Sequence, residues 1–500
     1  MSSEKDTSSR LLIMIGMCIK RGETMKKLLI FLIGWSIMLS GQTFDKKINS
    51  YLDKGYFAKA EKRIHQLIGS GELTESQVWD LKAQINLMNR IRLDFNKNLE
   101  DILPAIKKYY PNITREQLEE WEASGALECM MIDGEKKYFA NAVPNLFRID
   151  PEARAVKKAK DYPEMDSLDK TLNRIIPQMV REARETGKNL LSPVRMRLIY
   201  TMKLKPDVIP AGEIVRCWMP YPREGHNRQT DIKLISTSHQ EYVIADNSHL
   251  QRSIYMEGMT EEGKATVFNV VFEITTRPEV YLLKEEEIKP YDKTSPLYQE
   301  FTAERETHIR FTPEIKTLSG LIVGDETHPL RIARKIFKYI SVNYPWASAL
   351  EYSTIPNIPS YVIRNNSGDC GQVTLLLLTL CRYNGIPARW QSGWMLHPGD
   401  VNLHDWGELY FEGVGWVPVD QSFGRRTFED PDMEFFFLGG IDPYRLIVND
   451  DYSTSLYPAK TWLRSETVDF QRGEMEWRGG NLYFNLWNRD MKVEYLESEE

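Results

Sequence analysis

The spacing of apolar side chains changes several times along the chain, and each change predicts a different kind of segment. From residue 44 to about 125, apolar positions recur every three or four residues, as they do in amphipathic helices. One predicted helix face carries Phe57, Ala60, Ile64, Leu67 and Ile68. The Asp133-Gly134 pair predicts the turn of a short hairpin over residues 130–139, and further helix is expected as far as Gly187.

Between about residues 195 and 285, the apolar spacing changes to the period of two that strands have. Phe268, Val270, Phe272 and Ile274 fall on one face of a predicted half-buried strand. Shorter strands are expected at 213–220, 231–236 and 251–256. These segments together predict a β-sandwich-like module.

Helical spacing returns after residue 286. Residues 329–340 form an amphipathic pattern, and the run 373–380 is apolar nearly all round, so we expect a buried helix there. This second helix begins after Asp369, a good N-cap residue, and ends at Asn384-Gly385. From about residue 440 the chain is strand-rich and aromatic. Core packing is the favoured explanation of these aromatic residues, and a glycan groove is the alternative.

Cys370 lies in the first turn of the predicted buried helix. The unpaired backbone N–H groups and the dipole at this end favour a thiolate and can stabilise an oxyanion. Asp369 acts in the other direction, because a neighbouring negative charge raises the pKa of a thiol. Cys381 lies near the far end of the same helix among apolar residues, so a structural role is predicted for it.

A histidine and an aspartate follow on two predicted strands. Residues 404–411 alternate between two faces, with His404 on one face and Asp405 on the other. Residues 412–415 have the composition of a turn that leads into a second strand ending at Asp420. Placing His404 opposite Asp420 leaves a three-residue loop and brings the carboxylate within reach of the imidazole.

A thiol, a histidine and an aspartate are the groups of a thiol acyl-transfer site. Cys370 is the predicted nucleophile, His404 the general acid and base, and Asp420 the acid that orients the histidine. His397 is a rival base, but it lies in a Pro/Gly loop where nothing fixes its orientation. Asp405 is a rival orienting acid, although its side chain is expected on the face opposite to His404.

Three separated blocks resemble the transglutaminase-like (papain-like cysteine enzyme) superfamily, in the form common in bacterial exported proteins. The blocks are GDC at 368–370, LCRYNGIPAR at 380–389, and H-x-W-x-E-x-Y over 404–410 followed by GWVPVD at 415–420. The resemblance covers roughly residues 300–430. It implies a papain-like core, thioester chemistry, the triad Cys370, His404 and Asp420, and a structural role for Arg389.

The chain also departs from that family. Asp405 follows the histidine where many relatives carry a small or apolar residue, and Gly407 follows the motif's tryptophan. No glutamine precedes Cys370, so the second oxyanion donor is not identified. Trp346 resembles a site-wall tryptophan of animal transglutaminases, although a packing role is favoured for it. The calcium-binding residues of the animal enzymes are not recognisable, and neither a metal nor a cofactor is expected.

The combined prediction is an α+β multidomain protein with a papain-like transglutaminase core, in which the helix that carries the cysteine packs on an antiparallel sheet. The predicted parts are a signal peptide with an upstream extension (1–41), a mainly helical region (42–194), a β-sandwich-like domain (195–285), the core (286–438) and a strand-rich C-terminal extension (439–500).

Residues 25–41 have the organisation of an export signal, with a positively charged start, the apolar run Leu28–Leu39 and small residues at the end. This run is too short to span a bilayer, so a removed signal peptide is favoured over a retained anchor, and a periplasmic or extracellular location is expected. Residues 1–24 resemble an upstream translation extension, which leaves Met1 and Met25 as alternative starts.

The formal charge limits the expected class of partner, and the number of cysteines limits the expected role of disulfides. Residues 1–41 carry six basic and three acidic side chains, so the formal charge of −7 becomes −10 without them. An acidic chain argues against nucleic acid or an anionic membrane surface as partner. The four cysteines that remain are too few for a disulfide scaffold, although a Cys129–Cys217 bridge stays open.

The sequence therefore predicts an exported bacterial thiol enzyme that acts on amides of a peptide, a protein or the cell wall. It is either a peptidase or amidase, or an acyltransferase that uses an amine, and hydrolysis is slightly favoured because water is abundant. One alternative is a catalytically silent binding or assembly protein of the same fold that takes glycan or peptide. Another is a glycan-handling protein in which the core is secondary. The natural substrate and the oligomeric state cannot be read from the sequence.

Overall fold

The computed structural model of the protein describes residues 45–162 and 166–496. The predicted export signal lies outside the described residues. The described chain mixes helices with antiparallel sheets, as predicted. None of its helices combines the length and the apolar composition that are needed to cross a membrane. Cys129, Cys217, Cys370 and Cys381 are all free thiols, so the bridge left open between the first two is not formed.

One compact unit comprises residues 45–92 and 130–137. Helices α1 (Lys46–Asp53), α2 (Phe57–Gly69) and the greater part of α3 (Glu75–Asp94) belong to it, with the hairpin strands β1 (Cys129–Ile132) and β2 (Glu135–Tyr138). Asp133 and Gly134 both have positive φ, at 52° and 92°, as a two-residue hairpin turn requires. The hairpin predicted from the Asp-Gly pair is therefore confirmed.

The second unit contains the rest of the described chain and begins with short helices. They are α4 (Leu99–Lys107), α5 (Arg115–Ser124), α6 (Ala142–Ile149), α7 (Pro151–Asp161) and α8 (Ser167–Thr186). The last of them ends where predicted, at Gly187, which adopts the left-handed conformation with a φ of 65°.

Two antiparallel sheets follow in this unit. Their strands from the middle of the chain are β3 (Val194–Leu204), β4 (Ile214–Pro220), β5 (Gln229–Thr237), β6 (Val243–Ile244), β7 (Ser253–Met259) and β8 (Thr266–Thr276). Their strands from the end of the chain are β15 (Glu474–Trp477), β16 (Gly480–Leu482) and β17 (Trp487–Leu496). The orders are β17-β3-β8-β5 and β16-β15-β4-β7-β6. Strands predicted as a separate C-terminal extension thus complete the sheets of the β-sandwich-like module, and the predicted domain limits stay predictions.

The remaining elements surround a third antiparallel sheet. The helices are α9 (Pro296–Thr302), α10 (Pro313–Val323), α11 (Pro329–Asn343), α12 (Ile358–Asn365), α13 (Cys370–Tyr383) and α14 (Pro431–Glu434). The sheet has the order β12-β11-β10-β14, formed by β10 (Ala388–His397), β11 (Asp400–Phe411), β12 (Gly415–Val419) and β14 (Arg445–Asn449). A small pair, β9 (Glu279–Val280) with β13 (Gly440–Ile441), lies beside it.

Helix α13 is the buried helix that the apolar run predicted, and every residue from Gly371 to Arg382 is buried. It packs on β10 and β11. A Cβ atom at Gly407 of β11 would lie 2.9 Å from a Leu378 methyl carbon and 2.9 Å from the Arg389 carbonyl oxygen. The departure from the family at this position therefore has a steric reason, since only glycine lets the helix approach this closely.

The register between β11 and β12 differs from the prediction by two residues. Phe411 lies opposite Gly415, so the predicted pairing of His404 with Asp420 is wrong. The turn closes on Gly415 rather than on the valine before it, because the closing residue has a φ of 108°, which glycine adopts freely. A shift of two positions leaves His404 and Asp420 on the same face of the sheet.

Candidate active site

Cys370 is the first residue of α13, and two reciprocal hydrogen bonds fix the loop before it. The Asp369 carboxylate accepts from the backbone N–H of Gln372 at 3.1 Å, and the Gln372 Oε1 atom accepts from the N–H of Asp369 at 3.2 Å. This is a capping box, which orders the first turn of a helix. The N–H of Gly368 also donates to the Pro345 carbonyl at 3.3 Å, so a neighbouring segment of the same chain helps to fix this loop.

The thiol of Cys370 donates a hydrogen bond to the Oδ2 atom of Asp405 at 3.3 Å. Asp405 lies opposite to His404, as the strand alternation predicts, but it is the Asp405 face of β11 that α13 covers. Burial, followed by the charges of Asp405 and Asp369, raises the pKa of the Cys370 thiol well above its usual range. The groups that contact the thiol therefore favour its protonated form.

Further acids lie near this contact. Burial is the main cause that raises the pKa of Asp369 to about 6 and the pKa of Glu466 to about 7. Asp469 is also buried, and its pKa is raised by burial and by the charge of Asp405. Arg472 partly compensates these charges, through ion pairs of 2.5 Å with Glu351 and 3.4 Å with Glu466. The thiol therefore lies at the edge of an acidic cluster rather than beside a cation.

On the other face of β11, His404 and Asp420 form a buried pair. The His404 Nε2 atom lies 2.7 Å from the Asp420 Oδ2 atom, and the side chains are 3% and 0% exposed. Burial lowers the pKa of His404, although Asp420 opposes the shift. Burial alone would raise the pKa of Asp420, but His404 and Arg445 lower it below its usual range. A neutral imidazole held by an ionised carboxylate can accept a proton on its other ring nitrogen.

The rival base His397 is fully buried and already has a carboxylate partner. Its Nε2 atom lies 3.1 Å from Asp442. Arg445 connects the His397–Asp442 pair to the His404–Asp420 pair. It forms ion pairs of 3.1 Å with Asp442 and 3.0 Å with Asp420. His397 is the last residue of β10 and not a loop residue, so its orientation is fixed, contrary to expectation, and its side chain belongs to the ion-pair network behind Asp420.

The structure therefore brings two of the predicted site residues together and leaves the third beside a different acid. His404 contacts Asp420, whereas Cys370 contacts Asp405. Within residues 45–162 and 166–496, no hydrogen bond joins the Cys370 thiol to the His404 imidazole. The expected contact between them is absent because consecutive residues of a strand point to opposite faces, and the thiol lies on the side of Asp405.

A cleft of about 680 Å³ lies between the loop before Cys370 and the loop after Asp420. Gly368 and Gln421 both line it, and so does Phe423, whose ring centroid is 4.9 Å from that of His404. The cleft is large enough for part of a peptide-sized ligand. It adjoins the chain segments that carry Cys370 and Asp420, and Phe423 connects its wall to the His404 ring.

Trp346 lies on the wall of this cleft and not in the core. Its side chain is 48% exposed, and the Arg148 guanidinium lies 4.7 Å from its ring centroid. Trp346 therefore packs against Arg148 at the cleft wall rather than inside the core. Pairing of its segment with Gly368 places it beside the cysteine loop.

Sequence reasoning missed three residues of the site. Asp405 was identified as a departure from the family, but its contact with the thiol was not predicted. Gln471 holds Asp405 from a distant segment, and Arg445 lies behind Asp420 on β14. Neither Gln471 nor Arg445 belongs to a local motif. The one available signal for Arg445 was that a buried, ionised Asp420 needs a cationic partner.

Comparison with known proteins agrees with the resemblance seen in the motifs. Residues 316–421 match the profile of the Transglutaminase-like superfamily, and this segment contains Cys370, His404 and Asp420. A search of curated proteins finds no match.

Three solved structures are similar to parts of the chain. A proposed cysteine protease from Cytophaga hutchinsonii has 14% identity and a TM-score of 0.41, over 62% of this chain and 93% of its own. The periplasmic domain of TgpA from Pseudomonas aeruginosa has 11% identity and a TM-score of 0.23, over 47% and 93%. A proposed protease from Parabacteroides distasonis has 12% identity and a TM-score of 0.21, over 43% and 44%.

Proposed function

Because residues 316–421 form a transglutaminase-like core, we propose that the protein is an exported thiol-dependent enzyme that acts on amides. Cys370 is the proposed nucleophile, His404 the general acid and base, and Asp420 the acid that orients the histidine. The observation that carries the proposal is the buried His404–Asp420 pair beside a cleft that also reaches the cysteine loop. The proposed export rests on the signal-like sequence of residues 25–41.

In the proposed reaction, a substrate bound in the cleft separates the Cys370 side chain from Asp405 and brings it to the His404 side of β11, where the thiol proton passes to the Nδ1 atom of His404. The thiolate then attacks the substrate carbonyl carbon, and the first-turn N–H groups of α13 stabilise the oxyanion. Collapse breaks the C–N bond, and the histidine returns its proton to the leaving amine. Water or a second amine finally attacks the thioester, and the histidine takes the proton of that nucleophile. Collapse then breaks the C–S bond, and the histidine returns the proton to the Cys370 sulfur.

We propose hydrolysis over transfer to an amine, with a peptide, a protein or a cell-wall amide as substrate. A thioester in a cleft open to solvent meets water at far higher concentration than any amine. The net negative charge of the chain disfavours nucleic acid as a partner.

The proposal predicts that Cys370→Ala abolishes formation of an acyl-enzyme, since the nucleophile is removed. With p-nitrophenyl acetate as probe, wild type should give a burst of nitrophenol and a mass increase of one acetyl group on Cys370. His404→Ala should reduce the acylation rate by a factor of about 10² or more, and Asp420→Asn should cost less because the base remains. Cys381→Ala is the matched control, because it removes a buried thiol from the same helix and should leave the burst intact.

A second candidate function is a binding protein that has kept the fold without the reaction. The contact between Cys370 and Asp405 favours it, because that contact opposes ionisation of the thiol. Absence of any Cys370-dependent acylation across the pH range would support this alternative and would rule out the enzyme.

A further inference from the structure

The carboxylate of Asp405 is held in place at the Cys370 thiol. Its Oδ2 atom accepts from the thiol at 3.3 Å, and its Oδ1 atom accepts from the Gln471 amide at 2.6 Å. The same Gln471 nitrogen donates to the carbonyl oxygen of His404 at 2.7 Å. Both carboxylate oxygens therefore have partners, and the partner of Oδ1 is itself anchored to β11.

Close packing leaves the carboxylate little room to move. A Cβ atom added to Gly371, the residue after the nucleophile, would overlap the Tyr352 hydroxyl oxygen and would lie 2.7 Å from the Asp405 Oδ2 atom. Real Cβ atoms do not approach oxygen so closely, so Tyr352 and Asp405 together require glycine at this position. The carboxylate is therefore packed against the first turn of α13.

The charged groups that face the contact are mostly acidic. Helix α13 contributes Asp369 at its N-cap, and the preceding segment contributes the Tyr352 hydroxyl, which donates to Asp369 at 2.6 Å. Glu351 belongs to that same segment, and the chain before β15 adds a further set of facing groups. These groups are Glu466, Asp469 and Arg472.

No cation offsets the carboxylate at the thiol itself. Arg472 is bound by two of the surrounding acids, and His404 points to the other face of the strand. In the part of the chain that the structure describes, no cationic group forms a hydrogen bond with the thiol. Burial, followed by the charge of Asp369, also raises the pKa of Asp405 well above its usual range, so Asp405 and the thiol compete for protons without a compensating cation.

We infer that Asp405 holds the resting Cys370 thiol in its protonated form and so sets the pH at which the nucleophile becomes reactive. The inference rests on the proposed function in taking Cys370 as the nucleophile. No bond changes in the resting state, because the proton stays on sulfur and is shared with the Asp405 oxygen. The thiolate forms when hydroxide removes that proton at alkaline pH, or when a substrate separates the thiol from Asp405 and the proton passes to His404.

The test is the rate of alkylation of Cys370 by limiting iodoacetamide as a function of pH, read by peptide mass mapping of the folded protein. Asp405→Asn keeps the size of the side chain and removes its charge. The alkylation midpoint should fall by about one pH unit or more, which corresponds to about tenfold faster alkylation at a fixed pH below both midpoints. Asp405→Ser is a second variant, in case the asparagine amide clashes with the Gln471 amide.

Asp469→Asn is the matched control, since it removes a buried carboxylate of the same cluster that does not contact the thiol. Its midpoint should move less than that of Asp405→Asn. An unchanged or higher midpoint in both Asp405 variants would overturn the inference, and so would an equal shift in the control. A folded Asp405→Asn protein that alkylates more slowly would show that Asp405 accepts the thiol proton, which also overturns it.

The alkylation profile does not depend on turnover. A lowered midpoint without any acetyl-enzyme would support the role of Asp405 and reject the proposed enzyme. Formation of an acetyl-enzyme with an unchanged alkylation midpoint in the Asp405 variants would support the proposed enzyme and reject the role of Asp405.

Discussion

Arg445 lies between two fully buried carboxylates, those of Asp420 and Asp442, and its guanidinium stacks 4.2 Å from the centroid of the Phe423 ring. Burying a carboxylate is costly unless an opposite charge compensates it. Arg445 supplies that charge, so Asp420 can remain ionised whether His404 is neutral or protonated. The arginine thereby stabilises both the fold and the orientation of the histidine.

Replacing Arg445 by methionine should therefore destabilise the protein by about 3–5 kcal/mol, because two buried carboxylates lose their partner. Urea denaturation followed by circular dichroism measures this loss. Arg184→Met is the control, since Arg184 forms its ion pairs with Asp430 and Asp432 at the surface and should contribute about 1 kcal/mol or less. Similar losses in the two variants would contradict the role given to Arg445.

At this scale the sequence predicted the contact between His404 and Asp420 but not the partner of the Cys370 thiol. His404 and Asp420 could be predicted because strand alternation keeps them on one face even when the register shifts by two residues. The contact of Cys370 with Asp405 could not, since it depends on how α13 approaches β11. Gln471 and Arg445 contribute from segments whose positions no local pattern fixes.

At the scale of elements, the packing of α13 on the sheet explains why small residues recur at the site. The helix is apolar nearly all round and contacts β11 closely enough to exclude a side chain at Gly407. The buried helix and its ends were predictable from periodicity and caps. The depth of its approach was not, because periodicity shows which face is buried and not how near the neighbouring backbone lies.

Gly407→Ala should consequently lower the free energy of unfolding by about 1–3 kcal/mol, because the added methyl group overlaps Leu378. Gly320→Ala, within α10, is the matched control. A Cβ atom there meets nothing within 4 Å, so alanine should stabilise the helix by about 0.5–1 kcal/mol. Thermal or urea unfolding of the two variants should give changes of opposite sign, and a stabilised Gly407→Ala would refute the packing argument.

For the molecule as a whole, three buried carboxyl groups with raised pKa values make the free energy of unfolding depend on pH near neutrality. Burial is the main cause that raises the pKa of Asp94, Glu128 and Glu466 to about 7. In the unfolded chain these groups titrate near pH 4, so between about pH 4 and 7 the folded state binds more protons. Their contribution to stability is complete below about pH 4 and is lost as the pH rises through 7.

The urea midpoint should therefore fall between about pH 6 and pH 8, with a contribution on the order of 1 kcal/mol for each such group. Glu466→Gln should make this fall smaller, because the glutamine does not titrate. Glu326→Gln serves as the control and should leave the slope unchanged, because the hydrogen bond with Arg331 lowers the pKa of Glu326 to about 2, far below this range. A midpoint that rises over the same range would contradict the assignment of these groups.

Strand pairing also joins distant parts of the chain. The sheets of the β-sandwich-like module are completed by β15, β16 and β17, which the sequence placed in a separate extension. Alternation identifies a strand but not its neighbour, and so the pairing of the two regions could not be predicted.

This pairing has a consequence for the order in which the protein can fold. Arg197 of β3 and Glu494 of β17, which form an ion pair across the two strands, lie 297 positions apart. Until the last strand has been synthesised, one edge of β3 exposes unpaired N–H and C=O groups, a surface that invites association with other chains. The segment that carries Cys370 lies between these strands in the sequence. Cys370 is thus synthesised well before β17 can pair with β3, and this ten-residue strand completes the sheet only after the segment with Cys370 has been made.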